Sequence, residues 1–178
     1  NRAANKFDDF DDNVVRESLK RNESLVLIPG SELTPIQLTR EHIFEALADK
    51  RLDEETGNLV PNSVDLWNQL DKSLPPMKIL FESSRPDTIY LLWRYAREGM
   101  EDLGGQVELR EDGIWKQISP AEAERSTVPA TPGGIGVTDF FHYKEKRAGL
   151  ESIPVEGVLP SVRDIDTGRY PLSPTFDH

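Results

Sequence analysis

Apolar residues occur in two patterns along this 178-residue chain, continuous short runs and positions spaced three and four apart. Residues 25–30 are a continuous apolar run closed by Pro-Gly, which is typical of a strand buried on both faces. In residues 38–48 the apolar positions share one helical face, and Thr39 precedes them as a cap. Buried strands alternating with amphipathic helices predict a sheet with helices packed on either side.

The middle of the chain combines an apolar run, a polar loop and an amphipathic segment. The run at residues 77–82 follows two prolines, and the apolar positions of residues 89–98 recur at helical spacing. The loop between them reads Ser83-Ser84-Arg85-Pro86-Asp87-Thr88. These features predict a strand, a loop and a helix in that order.

The polar loop has side chains suited to binding an anion. Where a loop leads into a helix, backbone N–H groups and the positive end of the helix dipole point to one place. Ser83, Ser84 and Thr88 add hydroxyl donors, and Arg85 adds a forked pair of donors. Asp87 either caps the helix or accepts a hydrogen bond from a protonated ligand. We predict these five residues as ligand-binding residues.

The same loop also has the pattern of an ordinary helix start. Ser84, with Pro86 in the first turn and Asp87 three residues later, is typical of an N-cap followed by an acidic turn. Most Ser-x-x-Asp sequences serve only as caps. Capping without ligand binding is therefore the alternative interpretation of this loop.

Shorter patterns predict the remaining elements. Residues 64–70 predict a short helix that buries Trp67, and residues 106–118 predict a small β-hairpin around an Asp-Gly turn. A Ser-Pro start predicts a short helix at residues 119–124, with a loop as the alternative. The tail at residues 166–174 has the turn chemistry of an extended connector.

The chain divides into two predicted parts. Residues 7–21 carry apolar residues at helical spacing, with aspartates near the start, where they suit the helix dipole. We therefore expect residues 1–24 to form an N-terminal amphipathic helix and connector. Residues 25–178 are long enough for one core, and we expect them to form a single α/β lobe.

Glycines are concentrated in residues 128–141, where Gly133, Gly134 and Gly136 occupy three of four positions. Glycine permits positive φ and the close approach of another backbone or a ligand. A phosphate-binding P-loop would end in Gly-Lys-Ser or Gly-Lys-Thr, which this stretch lacks.

Composition excludes several classes of function. A formal charge of −11 disfavours nonspecific binding to nucleic acid. A helix needs about 20 consecutive apolar residues to span a bilayer, and no run approaches that length, so we expect no membrane insertion. The chain has no cysteine, which excludes disulfides, thiolate catalysis and cysteine metal sites.

Metal and catalytic sites are also not predicted. The aspartates of residues 8–12 lack the glycine and distal glutamate of a calcium loop, and His42 has no second histidine at ligand spacing, so it is expected on the surface. For an enzyme, the candidates are His142 with Asp139, or Ser83 and Ser84 with a distant histidine. We rank an enzyme last and expect no cofactor.

Several of these segments occur together in an order found in one known family. They are Leu38–Phe44, Trp67 in Leu66-Trp67-Asn68, the strand, loop and helix around Thr88, Ala130–Gly136 and Ile165–Ser173. In this order the chain, from about Leu25 onward, resembles the phosphate-binding proteins of ABC importers, which are periplasmic solute-binding proteins of type II.

The resemblance implies a fold, a location and partners. Proteins of this family have two α/β lobes, and this chain is similar to the second, inserted lobe, which would begin near Leu25 and end near Leu172. The implied fold is a three-layer lobe with a central mixed sheet flanked by helices. The implied function is non-catalytic binding of phosphate or a related oxyanion, with an ABC permease as partner, in the periplasm or outside the cell.

The loop departs from the family's pattern at five of its seven positions. Where the family typically reads R-S-D-G-S-G-T, this chain reads Glu82 to Thr88, so Ser83 and Thr88 match. The family's arginine falls on Glu82, its second serine on Pro86 and its following glycine on Asp87. These departures favour the alternative function, an interaction or regulatory module that keeps the scaffold with a degenerate pocket.

Overall fold

A four-stranded sheet forms the centre of the computed structural model, which describes residue 15 and residues 19–125, 131–146 and 150–175. The strands are β1 (Leu25–Pro29), β2 (Lys50–Leu52), β3 (Leu59–Pro61), β4 (Phe81–Ser83), β5 (Trp115–Gln117) and β6 (Ile135–Asp139). The central sheet has the order β1-β6-β4-β5, and β2 pairs with β3. Because β1 is antiparallel to β6 while β4 is parallel to β5 and β6, the sheet is mixed.

Helices flank this sheet. They are α1 (Arg40–Leu47), α2 (Pro86–Glu98), α3 (Glu101–Gly104), α4 (Pro120–Arg125), α5 (Phe140–Lys146) and α6 (Val162–Asp166), with a 3-10 turn at Trp67–Gln69. α1 packs on α2, where the rings of Phe44 and Trp93 stack at 5.5 Å, and α5 packs against β1 and β6. The predicted fold class, a mixed α/β sheet flanked by helices, is confirmed. Within the described residues, the helices are all too short or too polar to cross a bilayer.

The strongest local patterns form the predicted elements. β1 is buried along its length except at Pro29, as its continuous apolar run requires. Thr39 caps α1, because its Oγ1 accepts a hydrogen bond from the N–H of His42 at 3.1 Å. Trp67 is completely buried and contacts Phe81 edge to face at 5.8 Å. The helix predicted at residues 119–124 is present as α4.

The hairpin predicted at residues 106–118 is wrong. Its second strand, β5, instead pairs in parallel with β4, so that Ile118 donates its N–H to the carbonyl of Ser83. Its first segment forms a single antiparallel bridge between Leu109 and Ala48. Both segments thus bury their alternating apolar side chains against distant parts of the chain. A small antiparallel hairpin does exist, formed by β2 and β3.

The first and last described segments of the lobe lie side by side. Leu25 donates its N–H to the carbonyl of Leu172 at 2.9 Å, and the buried hydroxyl of Tyr170 donates to the carbonyl of Leu25 at 2.6 Å. The short helix α6 is not among the predicted elements. It begins before the predicted connector at residues 166–174 and ends at the first residue of that connector. Residues 19–23 are helical, and the rest of the predicted N-terminal helix, including the aspartates at residues 8–12, is outside the described residues apart from residue 15.

Candidate functional site

The candidate site lies at the edge of the sheet where β4, β5 and β6 end. Because these three strands are parallel, their carboxyl ends share one edge, which brings Ser83 at the end of β4 and Asp139 at the end of β6 to the same side. Ligands of open α/β sheets bind in the crevice beyond such ends. The predicted loop connects β4 to α2 at this edge.

Two predicted hydroxyls are buried inside the loop. The N–H of Arg85 donates to Ser83 Oγ at 3.1 Å, and Thr88 Oγ1 lies 2.6 Å from Ser83 Oγ and 2.8 Å from the carbonyl oxygen of Arg85. A ring in which Ser83 donates to Thr88 and Thr88 donates to Arg85 uses both hydroxyl protons. The structure thus places Ser83 and Thr88 where they fix the start of α2.

The cap of α2 differs from the simple prediction. Arg85 is the N-cap residue, its side chain makes no capping hydrogen bond, and Pro86 is the first helical residue. The interpretation of Ser84 as the N-cap is therefore wrong. Ser84 is half-buried, with its carbonyl accepting from Gln117 Nε2 at 3.4 Å. Asp87 is exposed in the first turn, where its carboxylate suits the helix dipole.

Arg85 presents most of its side chain to solvent. Its side chain is 59% exposed, and Nη1 lies 3.5 Å from Oδ2 of Asp139. A guanidinium has five N–H donors, so this long ion pair, the only one of Arg85 within the described residues, leaves most of them for another acceptor. Arg85 is therefore the predicted site residue with the greatest capacity to contact a ligand.

Asp139 joins Arg85 to His142. The N–H of His142 donates to Oδ1 of Asp139 at 2.8 Å, and Nδ1 of His142 lies 2.6 Å from Oδ2. We call Arg85, Asp139 and His142 the edge cluster. They lie in the loop before α2, at the end of β6 and at the start of α5. Sequence reasoning identified the pairing of Asp139 with His142 but did not bring Arg85 to it.

Glu82, which occupies the position of the family's arginine, is buried and directed at the glycine-rich turn. Its Oε1 accepts a hydrogen bond from the N–H of Thr131 at 3.0 Å, while Oε2 has no hydrogen-bond partner in the part of the chain that the structure describes. A Cβ added to Gly134 would lie 2.8 Å from Oε1. Gly134 therefore makes a close approach, but the neighbour is a side chain and not the backbone or ligand expected from sequence.

Gly30, at the end of β1, makes a second close approach to the same turn. A Cβ added there would lie 2.1 Å from the carbonyl oxygen of Pro132, and the N–H of Gly30 donates to Gly134 at 2.8 Å. The turn at residues 131–134 is thus held between the ends of β1 and β4.

Two polar residues have structural roles that sequence reasoning did not predict. His42, expected on the surface, is partly exposed; its Nδ1 accepts from the N–H of Thr39 at 3.1 Å and its Nε2 lies 3.2 Å from Asp71. A Thr-x-x-His sequence at the start of α1 was the available signal. Arg110 is buried and binds two backbone carbonyls and Asp112, and no local pattern indicates this.

A separate groove lies between α1, the β2–β3 hairpin and α3. Its volume is about 340 Å³, and its lining includes Phe44, Leu70, Met100 and the acidic Glu45. Burial raises the pKa of the Glu45 carboxyl, and the charge of Glu41 adds to this. The groove shares no residue with the predicted loop.

Among the described residues, no group of three or more histidine, aspartate or glutamate side chains is placed to hold a metal ion.

Solved structures similar to this one share the fold. One is PstS from Borrelia burgdorferi, with a TM-score of 0.59 and 20% identity over 84% of this chain and 54% of that chain. Another is an ABC-type phosphate transport receptor from Vibrio cholerae, with a TM-score of 0.51 and 12% identity over 84% of this chain and 53% of that chain. No protein-family profile and no curated protein sequence matches this chain.

These similarities confirm the predicted resemblance in fold to the phosphate-binding proteins of ABC transporters. The chain spans about half the length of the solved structures it matches, 54% of one and 53% of the other. A match to half of a larger protein agrees with the predicted likeness to one lobe.

Proposed function

We propose that this chain is a non-catalytic solute-binding lobe that binds a small oxyanion, such as phosphate, at the edge formed by residues 83–88. The observation that carries the proposal is the exposed guanidinium of Arg85 at the start of a 13-residue helix, at the carboxyl edge of the sheet. A guanidinium binds an oxyanion through two parallel charge-assisted hydrogen bonds. The shared fold with phosphate-binding proteins supports the same assignment.

The five predicted residues take different roles in this proposal. Arg85 binds the oxyanion directly, and the half-buried Ser84 donates its hydroxyl. Ser83 and Thr88 hold the loop through the ring of hydrogen bonds that fixes the helix start. Asp87 accepts a hydrogen bond from a protonated oxygen of the ligand, or supports the helix dipole when the ligand carries none.

The wider setting of the lobe is part of the proposal. The matched phosphate transport receptor belongs to an ABC-type system, so we expect an ABC permease as partner and a periplasmic or extracellular location. Since the matched structures are about twice as long, we expect a second lobe to contact the other side of the ligand. We also expect residues 1–24 to act as a connector to residues 25–178.

Replacing Arg85 with alanine is expected to weaken phosphate binding about ten- to a hundredfold, because a hydrogen bond to a charged group contributes about 1.5–3 kcal/mol. Isothermal titration calorimetry with phosphate measures this. The control is Arg94→Ala, which removes the same charge from α2 itself, where Arg94 forms an exposed pair with Glu98. Equal affinities for the two variants, or no heat with any oxyanion, would count against the proposal.

The second candidate is an interaction or regulatory module that keeps this scaffold without binding a solute. It is favoured by the buried Glu82 at the family's arginine position and by the pairing of Arg85 with Asp139. This candidate predicts no heat with any oxyanion, together with a protein partner captured specifically by the folded chain from a native lysate.

A further inference from the structure

The imidazole of His142 has no role in the proposed function, although it belongs to the edge cluster. Its side chain is 47% exposed, and its Nδ1 lies 2.6 Å from Oδ2 of Asp139. An ionised carboxylate only accepts hydrogen bonds, so Nδ1 carries a proton and donates it to Asp139. This fixes the ring and leaves Nε2 as the ring nitrogen without a hydrogen-bond partner among the described residues.

Arg85 and His142 contact the same oxygen atom. Nη1 of Arg85 is 3.5 Å from Oδ2 of Asp139, the oxygen that also accepts from His142. The side chain of Asp139 is only 11% exposed, and its other oxygen accepts the backbone N–H of His142. Two exposed donor groups from different elements therefore lie close to one another, with the carboxylate that holds them largely shielded from solvent.

The geometry points to His142 as a second ligand-binding residue, with Asp139 as the positioning residue that directs Nε2 and the guanidinium of Arg85 to one oxyanion. This inference rests on the proposed oxyanion-binding function. A charged imidazole donates from Nε2 to an oxyanion. A neutral imidazole whose proton is on Nδ1 has a lone pair on Nε2, and this lone pair accepts from a hydroxyl of the ligand.

The chemistry of Nε2 selects the class of ligand. Hydrogen phosphate has both a hydroxyl and charged oxygens, so it matches His142 in either protonation state. Sulfate has no proton near neutral pH and matches only the charged imidazole. The ligand class is therefore an oxyanion that has a hydroxyl group.

The charged groups around His142 come from three elements. Asp139 lies at the end of β6, Arg85 precedes α2, and the exposed Lys144 and Glu145 follow on α5 itself. Only Asp139 and Arg85 belong to the edge cluster. If the affinity for an anion changes with pH in the wild type but not in a variant that lacks the imidazole, the change is assigned to His142.

The test is calorimetry with phosphate and with sulfate at about pH 5.5 and about pH 8.5. The variant His142→Phe keeps the ring and removes both nitrogens. It is expected to bind phosphate about tenfold more weakly at both pH values, since one hydrogen bond to a charged group is lost. It is expected to bind sulfate about tenfold more weakly at the lower pH and with unchanged affinity at the higher.

Two further measurements separate a binding role from a structural one. His42→Gln removes a histidine outside the edge cluster and is expected to leave both affinities unchanged. In the wild-type chain, the imidazole ¹⁵N shifts of His142 are expected to move when phosphate is added, which needs no variant to fold.

The outcomes distinguish this inference from the proposed function. If Arg85→Ala loses binding while His142→Phe binds both anions as the wild type does, His142 is not a ligand residue and the proposed function stands. If the wild type binds neither anion and its His142 shifts do not move, the proposed function fails and this inference fails with it.

Discussion

Replacing Arg110 with alanine is expected to lower the free energy of unfolding by about 3–5 kcal/mol, because two buried backbone carbonyls each lose a charged donor, at about 1.5–3 kcal/mol apiece. The side chain of Arg110 is only 6% exposed. Its Nη1 donates to the carbonyls of Ala46 and Val64 at 3.2 and 2.6 Å, and its Nε and Nη2 bind Asp112. The alanine variant leaves two buried carbonyls without these donors and removes the link between α1 and the segment before β5.

Urea denaturation of three variants tests this role of Arg110. Arg94→Ala, in an exposed pair with Glu98, is the control and is expected to cost about 0.5 kcal/mol or less. Arg110→Lys is expected to lose most of the stability that Arg110→Ala loses. An ammonium lacks the planar fork that binds Asp112 from two nitrogens. An Arg110→Ala variant as stable as Arg94→Ala would contradict the structural role.

The same network makes stability depend on pH. Hydrogen bonds from Arg110 hold the pKa of the Asp112 carboxyl below its ordinary value. A carboxyl with a lowered pKa in the folded state contributes stability above its unfolded pKa of about 4, and this contribution is lost as the pH falls through the folded pKa. As the pH falls below about 4, the free energy of unfolding is therefore expected to decrease less in Arg110→Ala than in the wild type.

Replacing Trp67 with alanine is expected to cost about 3–5 kcal/mol, because it leaves a large cavity in the core. Trp67 is fully buried under the sheet and contacts Phe81. Its Nε1 has no hydrogen-bond partner among the described residues. Trp67→Phe is therefore expected to cost well under half as much, since it keeps an aromatic ring and removes a buried donor that gains nothing in the folded state.

An exposed aromatic residue is the control for Trp67. Tyr90 is 51% exposed on α2 and contacts Trp115 edge to face at 5.8 Å. Tyr90→Ala is expected to cost about 1 kcal/mol, since it loses one aromatic pair and little buried area. Thermal unfolding of the four proteins should then give the stability order wild type, Tyr90→Ala, Trp67→Phe and Trp67→Ala, with the last two clearly separated. Equal losses for the two Trp67 variants would contradict the account of the indole N–H.

The parts of the fold that sequence predicted are those with strong local patterns. The buried run of β1, the capped α1 and the long α2 are each specified by residues close together in the chain. The burial of Trp67 follows from its place in a short apolar segment. The strand, loop and helix at residues 77–98 were predicted in the correct order, although β4 begins later than the apolar run.

The misjudged parts depend on residues far apart in sequence. The segments around Leu109 and Trp115 both alternate, and only their distant partners, Ala48 and β4, decide that they do not pair with each other. The buried Arg110 is another long-range feature, because its carbonyl partners lie on α1 and before the 3-10 turn.

The candidate site shows the same division. The loop residues were predicted from one stretch of sequence, and their use as ligand-binding residues stays a prediction. The edge cluster could not be predicted, because Arg85 meets Asp139 only when β4 and β6 lie side by side.

Backbone amide chemical shifts recorded by NMR during a phosphate titration test the central claim most directly, because they locate binding without altering the chain. The account predicts saturable shifts in the amides of Ser84, Arg85, Asp87 and Thr88, with smaller changes at His142. Shifts centred on the groove around Glu45 and Met100, or no saturable shift anywhere, would contradict it.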